Sequence, residues 1–255
     1  MDLSIVIPAF NEGRKIERDV LAAAAFLAGE GLAGEILVVD DSSTDSTADA
    51  AARAPVPPGV RRRVLRYEPH RGKGYAVRTG MRETRGRVVL FADAGLCVPF
   101  DNALRGMRLI EDGACEVAHG SRKMHGSRIT LPQPFCRREL SKMFHALVHL
   151  AMGIPAGMTD TQCGFKLYRG DVGRELYAAC RSDGFVFDVE VLLRALRKGY
   201  RVQEFPVEWC CDIDSRLHPA RNVPGIVSDL VEIRLGLAQE RLIPPRRPPR
   251  TQGRK

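Results

Sequence analysis

Carboxylates follow three apolar runs of the sequence at the point where each run ends. Glu12 comes shortly after the first run, Asp41 ends the second, and Asp93 follows a later one. A carboxylate is costly to bury without a partner, so such residues either cap helices or meet polar ligands such as a ribose, a base edge or a metal ion. We predict ligand binding for Glu12 and Asp41, which occur together. For Ser42 and Asp45 we predict helix capping.

Residues 70–76, with the sequence His-Arg-Gly-Lys-Gly-Tyr-Ala, form a basic turn with two glycines that opens a helix. Backbone amides and positive side chains in such a turn can receive a phosphate. The spacing differs from the GxxxxGK[ST] of a P-loop, so a tight turn at a helix start explains the residues equally well. The sequence alone leaves both interpretations open.

The elements that must position these residues alternate along the first half of the chain. Apolar runs predict strands at 3–7, 35–39, 62–67, 87–92 and 116–120. Segments of helical spacing predict helices at 12–27, 44–54, 73–84 and 102–111, with Ser42, Ser43 and Thr44 as candidate caps of the second one. This alternation predicts an α/β fold with an open, mostly parallel sheet. Its ligands should lie outside the carboxyl ends of the strands.

Composition restricts the class of protein. The 255 residues are 44% hydrophobic and 27% charged, which excludes global disorder and a multi-span membrane protein. The net charge of +8 favours acidic partners, and much of it lies at residues 61–63 and 244–255. Five tyrosines, one tryptophan and no recognised reader motif argue against nucleic-acid binding. The charge alone does not choose among nucleic acid, anionic lipid and phosphorylated substrates.

The cysteines and the N-terminus indicate a cytoplasmic location. Seven cysteines without CxxC spacing favour neither a zinc site nor a disulfide framework. The chain enters a strand at Leu3, and we predict no signal peptide. Attachment to the cytosolic face of a membrane stays open, because the basic tail would be attracted to anionic lipid.

Six segments carry a family resemblance through their order along the chain. They are residues 5–12 (IVIPAFNE), 38–45 (VVDDSSTD), 71–74 (RGKG), 120–122 (GSR), 160–166 (DTQCGFK) and 187–190 (FDVE). Together they resemble a family 2 glycosyltransferase of the GT-A fold, and within it the branch of dolichyl-phosphate β-glucosyltransferases and dolichyl-phosphate mannose synthases. The resemblance runs from Leu3 to about Leu242.

The resemblance implies a fold, a domain division and a reaction. The fold would be a Rossmann-like, mixed and mostly parallel sheet flanked by helices, with a C-terminal extension on the acceptor side. One domain would span 1–242, with a nucleotide-sugar half at 1–120 and an acceptor half at 121–242. Separately, the irregular alternation of proline and arginine in residues 243–255 predicts a disordered basic tail, which is either a solubilising end or a membrane attachment. The reaction would be an inverting hexose transfer from a nucleotide sugar, with UDP-glucose favoured, to a polyprenyl phosphate at the cytosolic face.

The resemblance also assigns site residues. Asp93 would face the diphosphate through Mg²⁺ or Mn²⁺, and Arg122 and Arg216 would contact phosphates, for which a bidentate guanidinium is well suited. The positions implied for nucleotide-sugar binding are Pro8, Phe10, Glu12, Val39, Asp41, Lys73, Ala92, Asp93 and Ala94. The acceptor phosphate is already an anion, so no dedicated base is expected, and we interpret His70, His145 and His149 as structural or interfacial.

One position departs from the family pattern. Family members usually have Asp-x-Asp after the fourth strand, and this chain has Asp93-Ala94-Gly95 followed by Leu96 and Cys97. The cation could bind through Asp93, the diphosphate and waters. Arginines such as Arg122 and Arg216 could instead replace its charge. The third alternative is a nucleotide-sugar-binding protein with little or no catalysis.

The acceptor side is less defined by the sequence. Residues 137–150 place basic side chains ahead of an apolar helical face, which suits either a helix under lipid or a core helix. The relatives implied by the resemblance often carry spanning helices, and we see none here. A transferase acting on a soluble acceptor therefore stays an alternative.

Overall fold

The computed structural model describes residues 1–132, 146–212 and 219–242. Its strands are β1 (Leu3–Ala9), β2 (Gly34–Asp40), β3 (Arg61–Arg66), β4 (Val88–Ala92), β5 (Val117–Ser121), β6 (Arg128–Leu131), β7 (Phe165–Arg169), β8 (Val202–Pro206) and β9 (Glu208–Cys210). Its helices are α1 (Ile16–Gly29), α2 (Thr47–Arg53), α3 (Lys73–Arg82), α4 (Ala103–Glu111), α5 (146–152), α6 (Gly170–Ala179), α7 (Phe187–Arg197) and α8 (Pro219–Leu242).

Seven strands form one sheet in the order β3-β2-β1-β4-β7-β5-β8. β1 pairs in parallel with β2 and β4, β2 pairs in parallel with β3, and β5 does so with β8. β7 is antiparallel to both of its neighbours, β4 and β5. The predicted mixed, mostly parallel sheet is therefore confirmed. β6 and β9 form a separate parallel pair.

Helices cover both faces of this sheet, which is why β1 and β2 are buried at every residue. Ile16, Val20 and Leu27 of α1 belong to the core on one face, together with side chains of α2 and α4. On the other face α3, α6 and α7 contribute apolar side chains that include Val77 and Leu176. A third cluster joins α5, α7 and α8.

The described helices also have exposed apolar positions. Val227, Val231 and Leu235 recur every four residues along α8 and are 45, 52 and 58% exposed. On α5, Leu147 is 43% and Leu150 is 88% exposed, whereas Val148 between them is buried. Within the described ranges, no helix combines the length and apolarity that crossing a bilayer requires.

The first half of the chain follows the predicted alternation, with two local differences. β1 continues through Pro8 to Ala9, because its pairing with β4 already stops at Val6 and the missing N–H of proline interrupts no bond on that side. α2 begins at Thr47 rather than at residue 44. Ser42 has a left-handed φ of 60°, which belongs to a turn and not to a helix start.

Candidate active site

The parallel strands β1, β2 and β4 end at the same edge of the sheet, and this edge carries the predicted donor site. Pro8 pairs with Val39 near the ends of β1 and β2, and Ala92 is the last residue of β4. The predicted residues that follow the strand ends are Phe10, Glu12, Asp41, Asp93 and Ala94. The structure therefore brings them together at the edge where open α/β sheets bind ligands.

Asp41 connects the end of β2 to the basic turn. Its Oδ1 accepts the backbone N–H of Arg71 at 2.7 Å, and its Oδ2 accepts that of Gly72 at 2.8 Å. Nδ1 of His70 lies 2.9 Å from Oδ2. These amides are bonded to a protein carboxylate, so the structure supports a tight turn here rather than a backbone cradle for phosphate. The Lys73 side chain lies in the same turn, and its predicted role in binding the nucleotide sugar does not depend on these amides.

Phe10 and His70 form a stacked aromatic pair. Their ring centroids lie 4.1 Å apart at an interplanar angle of 29°, and the His70 side chain is 52% exposed. Stacking on an aromatic ring is a common way to bind a nucleobase and contributes about 1–3 kcal/mol per base. Sequence reasoning predicted Phe10 for this site but interpreted His70 as structural or interfacial; the structure places it beside Phe10.

Lys73, the first residue of α3, contacts the carboxylate that ends β4. Its Nζ lies 2.7 Å from Oδ1 of Asp93, and the two side chains are 27 and 30% exposed. Burial opposes the charged form of Lys73, but Asp93 and then Asp188 outweigh this and raise the pKa of the ammonium. Lys73 is therefore a stable cation next to the residue predicted to face the diphosphate.

The segment that precedes β7 contacts Asp93. The backbone N–H of Asp93 donates to the carbonyl of Gly164 at 2.9 Å, and a Cβ at Gly164 would collide with the Asp93 carboxylate. Lys166 is fully buried and donates to the carbonyl of Cys163 at 2.7 Å and to Asp188 at 2.8 Å. The glycine thus permits the close approach that places Asp93.

Gly95 leaves one carboxylate where Asp-x-Asp has two, and Asp212 occupies the adjacent space. Gly95 has a φ of +99°, and a Cβ on it would lie 3.0 Å from Oδ2 of Asp212. Burial, followed by Asp93 and Asp212, raises the pKa of the Cys97 thiol to about 12, so this sulfur stays protonated. Asp93 and Asp212 both flank Cys97 as hard oxygen donors.

Carboxylates are the ligands that a divalent cation prefers, and such a cation can take its remaining ligands from a diphosphate and water. In the described part of the chain, no group of three or more His, Cys, Asp or Glu side chains could hold a metal by itself. Any cation here would therefore depend on the nucleotide for much of its coordination.

The sequence did not predict Lys15, Asp19 or Asp212 for this site. Nζ of Lys15 lies 2.8 Å from Asp212 and 3.2 Å from Glu12, so the predicted ligand Glu12 is also part of an ion-pair network. Asp19 accepts the backbone N–H of Gly95 at 2.6 Å, and burial raises its pKa. The sequence did contain a signal for Asp19, because this acidic residue interrupts the apolar face of α1.

Arg122 makes a bidentate ion pair with Asp160. Its Nε and Nη2 donate to the two carboxylate oxygens at 2.7 and 2.8 Å, and its guanidinium lies 5.3 Å from the Trp209 ring centroid. Burial opposes ionisation of Asp160, but Arg122 lowers its pKa to about 2. The predicted phosphate contact of Arg122 would have to use donors other than these. Arg216 lies outside the described residues.

The two capping predictions have different outcomes. Asp45 accepts the backbone N–H of Thr47, the first residue of α2, at 3.0 Å, but the N-cap position itself is Ser46, one residue further on. The prediction for Ser42 is wrong, because α2 begins five positions further on and a cap must be adjacent to the first turn.

Sequence comparison identifies the family. Residues 4–171 match the model of Glycosyl transferase family 2. The chain belongs to this family. The dolichyl-phosphate β-glucosyltransferase of Saccharomyces cerevisiae is 32% identical over 249 residues, covering 91% of this chain and 74% of the relative. That of Drosophila melanogaster is 33% identical over 233 residues, covering 86 and 70%. The prediction of a family 2 glycosyltransferase is confirmed.

Solved structures show that this family 2 glycosyltransferase has the predicted GT-A fold. Mannosyl-3-phosphoglycerate synthase from Rubrobacter xylanophilus superposes with a TM-score of 0.67 at 20% identity, covering 98% of this chain and 78% of the other. Glucosyl-3-phosphoglycerate synthase from Mycobacterium tuberculosis, in complex with Mn²⁺, UDP-glucose and phosphoglyceric acid, gives a TM-score of 0.62 at 16% identity, covering 91 and 79%.

Proposed function

We propose that this glycosyltransferase moves a hexose from a nucleotide sugar, with UDP-glucose as the favoured donor, to a polyprenyl phosphate. The relatives named dolichyl-phosphate β-glucosyltransferase support this substrate class. The structural observation that carries the proposal is the Lys73–Asp93 pair, with 2.7 Å between Nζ and Oδ1, at the same sheet edge as the Phe10–His70 stack. A base-stacking surface and a charged ammonium at one sheet edge match the base and the diphosphate of a nucleotide sugar.

The donor would bind along the carboxyl edge of the sheet. The base would stack near Phe10, and Glu12 and Asp41 would accept hydrogen bonds from the base and ribose. Oδ1 of Asp41 already accepts the Arg71 N–H, and Oδ2 has the Gly72 N–H and His70 Nδ1 as partners. Oδ1 therefore has a second lone pair available for the donor. Lys73 would contact the diphosphate. The backbone of four further residues would line this site, namely Pro8, Val39, Ala92 and Ala94.

The acceptor phosphate then supplies the nucleophile. One of its anionic oxygens attacks the anomeric carbon, the bond from that carbon to the diphosphate oxygen breaks, and the nucleoside diphosphate leaves with the electron pair. Because the nucleophile carries no proton, the step needs no general base. Because it is a single displacement at the anomeric carbon, it inverts the anomeric configuration. Lys73 stabilises the charge that develops on the leaving group, and the site orients the two substrates.

A divalent cation, Mg²⁺ or Mn²⁺, would be held by Asp93 and Asp212. When bound, it would supply further positive charge to the leaving diphosphate. The Mn²⁺ in the M. tuberculosis glucosyl-3-phosphoglycerate synthase complex supports a divalent ion in this fold. Lys15 and Lys73 would neutralise the two carboxylates before the cation binds.

We further propose peripheral association with an anionic membrane surface. The exposed apolar positions of α5 and α8 lie on helices that contact each other, since Arg234 donates to the carbonyl of Ala151. Residues 243–255 follow α8 in the sequence and contain five basic residues and no acidic one. Each basic residue near anionic lipid contributes about 1 kcal/mol. Flotation of the full chain with vesicles containing phosphatidylserine, and its loss on deletion of 243–255, tests this association.

Transfer itself is tested with purified full-length protein, radiolabelled UDP-glucose, Mg²⁺ or Mn²⁺, and polyprenyl phosphate. We expect a radiolabelled lipid that is extracted into organic solvent. GDP-mannose and UDP-N-acetylglucosamine serve as alternative donors, and 3-phosphoglycerate serves as a soluble acceptor. Absence of lipid product with every donor would overturn the proposal, and transfer to 3-phosphoglycerate alone would replace the lipid acceptor with a soluble one.

A further inference from the structure

The segment 181–184, which joins α6 to α7, lies against the turn that carries Lys73. The backbone N–H of Gly74 donates to the carbonyls of Asp183, at 2.9 Å, and Gly184, at 3.2 Å. These are backbone-to-backbone bonds between parts of the chain that are distant in sequence. The first turn of α3 is therefore bonded to segment 181–184 and not only to its own helix.

The glycines of the turn make this contact close. A Cβ on Gly72 would lie 2.5 Å from the carbonyl oxygen of Asp183, and a Cβ on Gly74 would lie 2.5 Å from that of Ser182. Neither distance is compatible with a side chain. Since the two backbones touch directly, a displacement of segment 181–184 has to displace the turn as well.

Side chains reinforce the contact. The Asp183 carboxylate accepts from Nη2 of Arg71 at 3.0 Å and forms a second, close ion pair with Arg78. Both guanidinium groups also lie over the Tyr75 ring, at 4.2 and 5.1 Å from its centroid. Asp183 thus holds residues on both sides of Lys73 in the sequence.

Glu190 of α7 holds segment 181–184 from the other side. It is 2% exposed, and its Oε2 accepts the backbone N–H of Arg181 at 2.9 Å and that of Ser182 at 2.7 Å. Its Oε1 accepts from Nε of Arg194 at 2.9 Å. Arg194 in turn donates to both carboxylate oxygens of Glu240 on α8, at 2.8 and 3.0 Å. Bonds between a carboxylate and backbone amides are among the stronger hydrogen bonds.

Packing covers the segment only in part, because a cavity of about 440 Å³ lies beside it. The cavity separates the segment from part of α8, and its lining includes Glu190, Arg194, Asp229 and Glu232. On that side, residues 181 and 182 are held by their backbone bonds to Glu190, whereas Gly184 lies against Asp229 of α8.

We propose that Glu190 is a positioning residue for the donor turn. It fixes segment 181–184, which through Asp183 and the backbone contact fixes the turn, and so places Nζ of Lys73 beside Asp93. This inference rests on the proposed function, in which Lys73 contacts the donor diphosphate. Glu190 does not itself touch the donor.

The test compares Glu190→Gln and Asp183→Asn with the control Glu232→Gln, which changes a carboxylate of the same cavity. Glu190→Gln retains one acceptor oxygen but loses the charge that binds the two amides. We expect each of the first two variants to weaken UDP-glucose binding in calorimetry by about tenfold, the effect of one charge-assisted hydrogen bond. Glu232→Gln should bind UDP-glucose as the unmodified protein does.

Hydrogen exchange of the peptide covering residues 70–76 supplies a second readout that needs no ligand. Deuterium uptake should rise in Glu190→Gln and Asp183→Asn and stay unchanged in Glu232→Gln. In the double variant the losses in affinity should be less than multiplicative, because both substitutions release the same segment. Full additivity, or unchanged exchange in the turn, would reduce Glu190 to a stability role and overturn the proposal.

The two proposals fail in different ways. If the unmodified protein binds no nucleotide sugar, the proposed function fails, while the exchange comparison still decides whether Glu190 positions the turn. If the unmodified protein binds UDP-glucose and Asp183→Asn binds it equally well, the donor site stands and the positioning role is excluded. Where Glu190→Gln does not fold, Asp183→Asn can still overturn the proposal, because Glu190 is argued to act on Lys73 through the segment that Asp183 joins to the turn, and Asp183 is partly exposed.

Discussion

Two cation–carboxylate pairs near the same sheet edge differ in geometry and exposure. Arg122 and Asp160 make two side-chain bonds, and their side chains are 18 and 2% exposed. Lys73 and Asp93 share a single contact, and their side chains are 27 and 30% exposed. A planar guanidinium is locked by bidentate bonding, whereas an ammonium on a flexible stem can turn to another anion. The Arg122–Asp160 pair therefore suits a structural role, and the Lys73–Asp93 pair suits ligand binding.

The surroundings of the two pairs reinforce this difference. Glu204 accepts the backbone N–H groups of Thr159 and Asp160, each at 2.7 Å, so the carboxylate partner of Arg122 sits on a fixed segment. Lys73 lies instead on a turn that is held by residues from other parts of the chain. The comparison teaches that two charge pairs of similar composition can differ enough in geometry for one to suit stability and the other to suit the proposed substrate binding.

The largest expected effect is on the buried pair. Asp160→Asn would leave the Arg122 charge buried without its partner, and we expect the free energy of unfolding to fall by about 3–5 kcal/mol. Urea denaturation measures this loss. As a control, Asp171→Asn removes an exposed partner of Arg169 and should cost less than about 1 kcal/mol. A similarly small cost for Asp160→Asn would show that the two pairs do not differ as described.

The next largest effect is on catalysis and concerns the partly exposed Lys73–Asp93 pair. Lys73→Met should lower kcat for transfer from UDP-glucose by about 100-fold, the typical result of removing one group that stabilises developing charge. The free energy of unfolding should change by less than about 1 kcal/mol, because the pair is partly exposed. Lys198→Met, which breaks an exposed pair with Glu175, is the matched control for kcat. Unchanged transfer in Lys73→Met would remove Lys73 from the active site.

The smallest effect concerns the cation. Asp212→Asn should weaken Mn²⁺ binding in the presence of UDP by about tenfold, because it removes the carboxylate next to Gly95. Electron paramagnetic resonance of free Mn²⁺ measures this affinity without catalysis. Asp101→Asn, an exposed carboxylate on the 3-10 turn before α4, serves as the control. Equal Mn²⁺ affinity in both variants would leave Asp93 as the single carboxylate that faces a cation.

Much of the fold was predictable because its signals are local. The apolar runs that became β1, β2 and β4 are each followed within a few residues by a carboxylate, and parallel strands bring their ends to one edge. The start of α2 was mispredicted because Ser42 and its neighbours resemble a cap in composition, while the left-handed turn after β2 delays the helix. Arg122 was predicted for phosphate, and its bond to Asp160 depends on a residue that no local pattern connects to it.

The sequence by itself determined the alternation of strands and helices, the acidic strand ends, the glycine-rich basic turn and the absence of a second carboxylate at Gly95. Each of these depends on residue type and short-range spacing. The tertiary structure decided that Asp212 lies beside Gly95 and that Glu190, acting through segment 181–184, holds the turn with Lys73. Those contacts join segments far apart in the chain, and their formation depends on how β7, α7 and the connections around them pack against the first half of the sheet.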